Sequence, residues 1–138
     1  MKIIICGSIS AAEEILAVKK QLEAMGHVVE IPEGVKILEL RGRTEVSTGE
    51  KAEDKIKHDL IRGYFEKIKN YDIVLVVNPE KRGVRGYIGG NTLIEMAFTH
   101  VLGKKLYALN PLPELSYTSE ILAMQPTVLN GNLSKIST

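Results

Sequence analysis

Two short, unbroken apolar runs constrain this chain most: "KIIIC" at 2–6, closed by Gly7, and "YDIVLVVNP" at 71–79, closed by Asn78-Pro79. An apolar run of this length without polar alternation fits a strand buried on both faces, as in the centre of a parallel sheet covered by helices on each side. The residues after the first run agree. "SISAAEEILAVKKQLEAMGH" places Ser10 and Glu13 at capping-box spacing, repeats apolar residues at Ile15, Val18, Leu22 and Met25, and reaches Gly26 where a helix C-cap glycine belongs. "HVVEI" (27–31) then reads as a second strand, which completes a strand–helix–strand unit.

The same alternation continues. A helix is expected over 53–70, with Ile56, Leu60, Ile61, Tyr64 and Ile68 on one side, and another over 92–102, ended by Gly103. "KLYALNP" (105–111) reads as a strand, "ELSYTSEILAM" (114–124) as a short helix and "TVLN" (127–130) as a last short strand. Residues 32–52 hold three glycines and no clear period, and are expected to form a mobile loop or lid; 131–138 are expected to be a flexible tail. One domain of 1–138 is implied, an α/β three-layer sandwich whose parallel five-stranded sheet has the flavodoxin-like, Rossmann-like order 2-1-3-4-5. Ligands of such sheets bind beyond the carboxyl ends of the strands, so Gly7, Ser8, Asn78 to Asn91 and Asn110 are expected along one functional edge.

Composition narrows the class. The 138 residues are 44% hydrophobic and 25% charged, and 18 basic against 17 acidic residues leave a net charge of +1. That balance gives no electrostatic footprint for a nucleic-acid polymer. A single cysteine, Cys6, excludes an internal disulfide, and neither it nor His27, His58 and His100 shows zinc-ligand spacing, so no metal is expected. No apolar run approaches a membrane span and no secretion signal is visible, which makes a cytoplasmic protein without a membrane partner the expectation.

The stretch "GYIGGNTLIEMAF" (86–98) carries the chemical question. Thr92 and Glu95, spaced i and i+3 before an apolar run, fit a second capping box. Against that plain structural role, Gly86, Gly89 and Gly90 clear the approach to Glu95 of side-chain bulk, as a ligand near backbone requires. Gly7 and Ser8 in the first loop can receive an anion or a sugar hydroxyl, although the loop is neither a dinucleotide fingerprint nor a P-loop.

These residues resemble the nucleoside 2-deoxyribosyltransferase superfamily. The likeness rests on the Gly-Ser loop after the first strand, "YDIVLVV", and the glycine-rich approach to "NTLIEMAFTHVLGKKLYALN". Glu95 matches the family's nucleophile, Ala97 the small residue behind it, and Gly103-Lys104 the junction before the next strand. The smaller branch, the deoxynucleoside 5′-monophosphate N-glycosidases, shares the "GSI" start and an approach that Gly83, Gly86, Tyr87 and Gly90 echo. The resemblance implies cleavage or exchange of the N-glycosidic bond of a nucleoside or its monophosphate, with no cofactor and with a homo-oligomer as the working form. On that reading Glu95 is the nucleophile, Ser8 and Asn91 bind the sugar, and Asn78 holds base or sugar. Arg82 and Arg85, with Lys81, meet a 5′-phosphate, while Gly7, Gly89, Gly90 and Asn110 complete the binding edge. Transferases of the family carry an aspartate before the glutamate, and 79–91 hold none; Asp72 is expected at the opposite end of the sheet. Two other readings remain: a non-catalytic nucleotide-binding module of the same fold, and a phosphoribohydrolase, since "GGNTLIE" is similar to a "GGxGTxxE" motif but lacks its third glycine.

Overall fold

A computed structural model describes residues 1–42 and 59–136. Five strands, β1 (Lys2–Cys6), β2 (Val28–Glu30), β3 (Ile73–Val76), β4 (Lys105–Ala108) and β5 (Thr127–Val128), form one sheet in the order β2-β1-β3-β4-β5. Every pairing is parallel. The described helices are α1 (Ala12–Ala24), α2 (Glu33–Leu40), α3 (Leu60–Lys69), α4 (Gly90–Val101) and α5 (Thr118–Ala123). The sequence expectation of a three-layer α/β fold with this strand order holds. No helix among the described residues is long and apolar enough to cross a membrane.

The period-two geometry of a strand divides the core. Ile3, Ile5, Ile73 and Leu75 pack with Ile15, Val18 and Leu22 of α1 and with Val35 and Leu38 of α2. Ile4, Cys6, Val74 and Val76 face the other way, onto Tyr64 and Ile68 of α3 and Met96 of α4. Both faces of β1 and β3 are fully buried, which is why these runs show no polar alternation.

Three local expectations change. Residues 33–40, expected within a loop, form α2: Pro32 starts it, and Val35 and Leu38 bury one side. Eight residues are too few turns for a helical period to stand out. The remainder of the expected loop (43–52), the beginning of the expected second helix (53–58) and His58 lie outside the described residues. The expected tail is also packed, because Leu133 and Ile136 of a 3-10 turn are buried in the α1-side core. Finally, Ser10 and Glu13 form no capping box. The chain first makes a 3-10 turn at Ile9–Ala11, capped by Ser8, whose Oγ accepts from the Ser10 N–H at 3.2 Å.

An ionic clasp joins the helical layers around the edge strand β2. Lys67 of α3 pairs with Glu33 of α2 and lies 3.4 Å from Glu30 at the end of β2; Lys36 of α2 is 2.6 Å from Glu30. Burial pushes the Glu30 carboxyl up, but hydrogen bonds from Lys36 and the Ile31 N–H and the charge of Lys67 outweigh it, and its pKa is lowered. Glu33 is lowered too, chiefly by its hydrogen bond from Lys67. A carboxylate held low in the native state stabilises above its unfolded pKa, and that contribution disappears as pH falls through the native value. Urea unfolding is therefore expected to show a midpoint that drops as pH falls below about 4, with a shallower drop in Lys67→Ala. An equal acid dependence in both proteins would contradict the clasp.

Candidate functional site

The carboxyl ends of β1, β3 and β4 deliver three loops to one edge. After β1, Gly7 sits against β3 so closely that a Cβ would lie 3.0 Å from the Val77 carbonyl and 3.1 Å from Ile15 Cδ1. After β3, Lys81 and Val84 exchange backbone hydrogen bonds of 3.1 and 3.0 Å around Arg82 (φ 53°) and Gly83 (φ 78°). Two consecutive positive φ values are what a type I′ turn demands, and Arg82 is held there without the glycine such a position favours.

The turn brings Lys81 back over the first loop. Its Nζ donates to Ser8 Oγ at 3.3 Å and lies 5.5 Å from the Tyr87 ring centroid, and Ser8 Oγ is 2.8 Å from Ser10 Oγ. Beside this group α4 begins at Gly90, with Gly89 as an extended N-cap and no side-chain cap. The expected Thr92–Glu95 capping box is therefore absent: Thr92 stands in the first turn and Glu95 in the second, beyond reach of a capping role.

Glu95 is instead a buried acid, 7% exposed, at the junction of two cavities. The larger, about 470 Å3, is bounded by Gly7, Ser8, Lys81, Arg82 and the α4 start. The smaller, about 210 Å3, lies between the start of α2 and the face of α3 that carries Gly63, Tyr64 and Lys67. Asn91 and Glu95 line both. Beneath the acid, the fully buried Cys6 thiol hydrogen-bonds the Glu95 carboxylate; burial first, then the Glu95 charge and this bond, push the thiol pKa well up, so Cys6 stays protonated. Burial likewise raises the Tyr64 phenol, whose hydroxyl donates to the Ile5 carbonyl. A T-shaped Phe65–Phe98 contact, with centroids 4.9 Å apart, packs α3 beside α4.

Of the sequence candidates, Glu95, Gly7, Ser8, Arg82, Gly89, Gly90 and Asn91 come together around the larger cavity. Asn78, Asn110 and Arg85 line neither cavity. Asn78 is 1% exposed and works as a loop fastener: its Nδ2 donates to the carbonyls of Gly86, Asn110 and Pro111 at 3.1–3.3 Å, and its Oδ1 accepts from the Asn110 N–H at 2.9 Å. Asn110 answers by donating Nδ2 to the Asn78 carbonyl at 3.1 Å. Arg85 is exposed. Ala97, matched to a small residue behind the nucleophile, is on the exposed side of α4. Asp72, as expected, is at the far end of the sheet, where it accepts from the Lys2 N–H at 3.0 Å. Among the described residues no cluster of His, Cys, Asp and Glu suits a metal.

The sequence missed the contribution of the α2 start (Pro32, Gly34) and of Gly63 and Tyr64 on α3. A glycine inside an amphipathic helix was the signal available for the last two. Comparison with protein-family models, with characterised proteins and with solved structures finds no match in any of the three.

The fastening of these loops has a sharp weak point. Gly86 has φ +66°, and a Cβ there would come within 2.0 Å of the Pro111 carbonyl oxygen. Gly86→Ala is expected to cost at least about 2 kcal/mol, read as a lower urea midpoint; unchanged stability would mean that the Asn78–Gly86–Pro111 fastening is not formed.

Proposed function

We propose that this chain cleaves or exchanges the N-glycosidic bond of a nucleoside or nucleoside 5′-monophosphate, with Glu95 as nucleophile. One observation carries the reading: a buried carboxylate, released from any capping role, stands where two cavities meet at the ligand-binding edge of a parallel sheet. The resemblance of "GGNTLIEMAF" to the nucleoside 2-deoxyribosyltransferase superfamily supports the same assignment.

In the proposed reaction a Glu95 oxygen attacks the anomeric carbon as the carbon–nitrogen bond breaks, and the bonding pair leaves with the ring nitrogen, which takes up a proton. Water then attacks the anomeric carbon of the glycosyl ester and restores the carboxylate. Over both steps one hydrogen of that water ends on the sugar hydroxyl and the other on the ring nitrogen; a second base in place of water gives transfer. The Cys6 hydrogen bond holds the carboxylate from the core side. Lys81, Arg82, Ser8 and the uncapped start of α4 form the positive, donor-rich side of the larger cavity, suited to an anionic substituent on the sugar.

Incubation with a panel of nucleosides and 5′-monophosphates, read by chromatography of the released base, tests the proposal. Glu95→Gln is expected to lower turnover at least about 100-fold with the fold intact by circular dichroism. Lys81→Ala is expected to raise KM for a monophosphate roughly tenfold and leave that for the nucleoside little changed. Release of base by Glu95→Gln at the wild-type rate would remove Glu95 from the chemistry. Binding of nucleotides without any release would favour the non-catalytic module.

A further inference from the structure

Gly63 is the fourth residue of α3, and nothing in the backbone or packing of the described residues calls for a glycine there. Its φ is not positive, and a Cβ added there would meet no atom of the described residues within 4 Å. A helix-interior glycine is destabilising relative to alanine, so a fold selected only for stability would place a side chain here. What Gly63 does have beside it is the smaller cavity, of which it forms part of the wall.

That cavity differs in character from the larger one. Leu60, Gly63 and Tyr64 give it an apolar and aromatic wall beside the paired Glu33 and Lys67, whereas the larger has Ser8, Ser10, Lys81 and Arg82. The side chain of Asn91, on the boundary, makes no hydrogen bond to the described residues, so its carboxamide presents an NH2 donor and a carbonyl acceptor side by side. Such a pair suits the edge of a heteroaromatic ring. Size points the same way: a cavity of roughly 150 Å3 takes up benzene, and this one, at about 210 Å3, has room for a fused two-ring system.

We infer that the smaller cavity receives the leaving base, that its dimensions favour a purine over a single-ring base, and that Gly63 sets this preference by leaving the α3 wall bare. The inference rests on the proposed N-glycosidic chemistry for its biological meaning, but base binding can be measured without that reaction. Filling the position with a larger side chain removes room from the chamber and leaves Glu95 and the larger cavity as they are.

The test uses free adenine and free cytosine, which have no glycosidic bond to break, titrated into the full-length isotope-labelled protein. Adenine is expected to shift the amide signals of Gly63, Tyr64 and Asn91 more than those of Gly7, Ser8 and Lys81, and to bind more tightly than cytosine. Gly63→Leu is expected to weaken adenine binding about tenfold or more and cytosine binding less. Gly63→Ala, which keeps the helix in any event, is expected to melt at a higher temperature yet bind adenine more weakly; loss of affinity with gain of stability is an outcome that a purely structural glycine would not produce. Adenine affinity unchanged in both variants, shifts confined to the larger cavity, or no binding at millimolar base would overturn the inference. Base binding at Gly63 without nucleoside cleavage would instead refute the proposed reaction alone, and cleavage with base preference unaltered by Gly63→Leu would refute this inference alone.

Discussion

The parallel pairing of β1 with β3 is the contact on which the rest depends. Ile3 through Cys6 run beside Ile73 through Val76, and both strands are buried on both faces. Because the strands point the same way, the loops that follow them emerge at the same edge. The candidate site stands on that consequence: Gly7 and Ser8 after one strand, Lys81 and the α4 start after the other, and Glu95 one turn further in. A register slip of one residue would exchange the two core faces of β1, so the sheet that buries the hydrophobic runs also fixes where Ser8 and Lys81 meet.

The edge is held by polar fastenings rather than by apolar packing alone. Asn78 and Asn110 tie the β3 and β4 loops together, and their five hydrogen bonds to backbone occupy groups that would otherwise be buried without partners. The ionic clasp of Glu30, Glu33, Lys36 and Lys67 does the corresponding work on the other flank, where it joins α2 to α3 beside the smaller cavity. Between these two fastenings, Glu95 meets the Cys6 thiol on its core side and the two cavities on its solvent side. A carboxylate so placed is pre-oriented, which is what a nucleophile needs and a helix cap does not.

Legibility followed the range of the interactions involved. The strands β1 and β3, the helix ending at Gly26 and the sheet order could be read because continuous apolar runs, helical spacing and the right-handed crossover are local or general constraints. The capping boxes misled at both helix starts. Ser10/Glu13 and Thr92/Glu95 have the required spacing, but where a helix begins depends on which residues the sheet buries, and burial started α4 at Gly90 and inserted a 3-10 turn before α1. Asn78 and Asn110 looked like ligand-binding amides because polar residues at strand ends often are; only their mutual hydrogen bonds, 32 residues apart in sequence, reveal a fastening. The packed C-terminal turn was hidden for a related reason, since Leu133 and Ile136 are isolated apolar residues with no period of their own.

By itself, the sequence determined the α/β architecture, the direction of the sheet, the edge at which the candidate residues gather and the singling out of Glu95, because hydrophobic periodicity and glycine placement act over a few residues. Only the tertiary structure decided that Glu95 is not a cap, that it touches Cys6, and that two cavities of different polarity meet at its carboxylate. Those facts depend on the distance between side chains from α2, α3, α4 and β1. No local pattern encodes such distances, because they are set by how separate elements pack against one shared sheet.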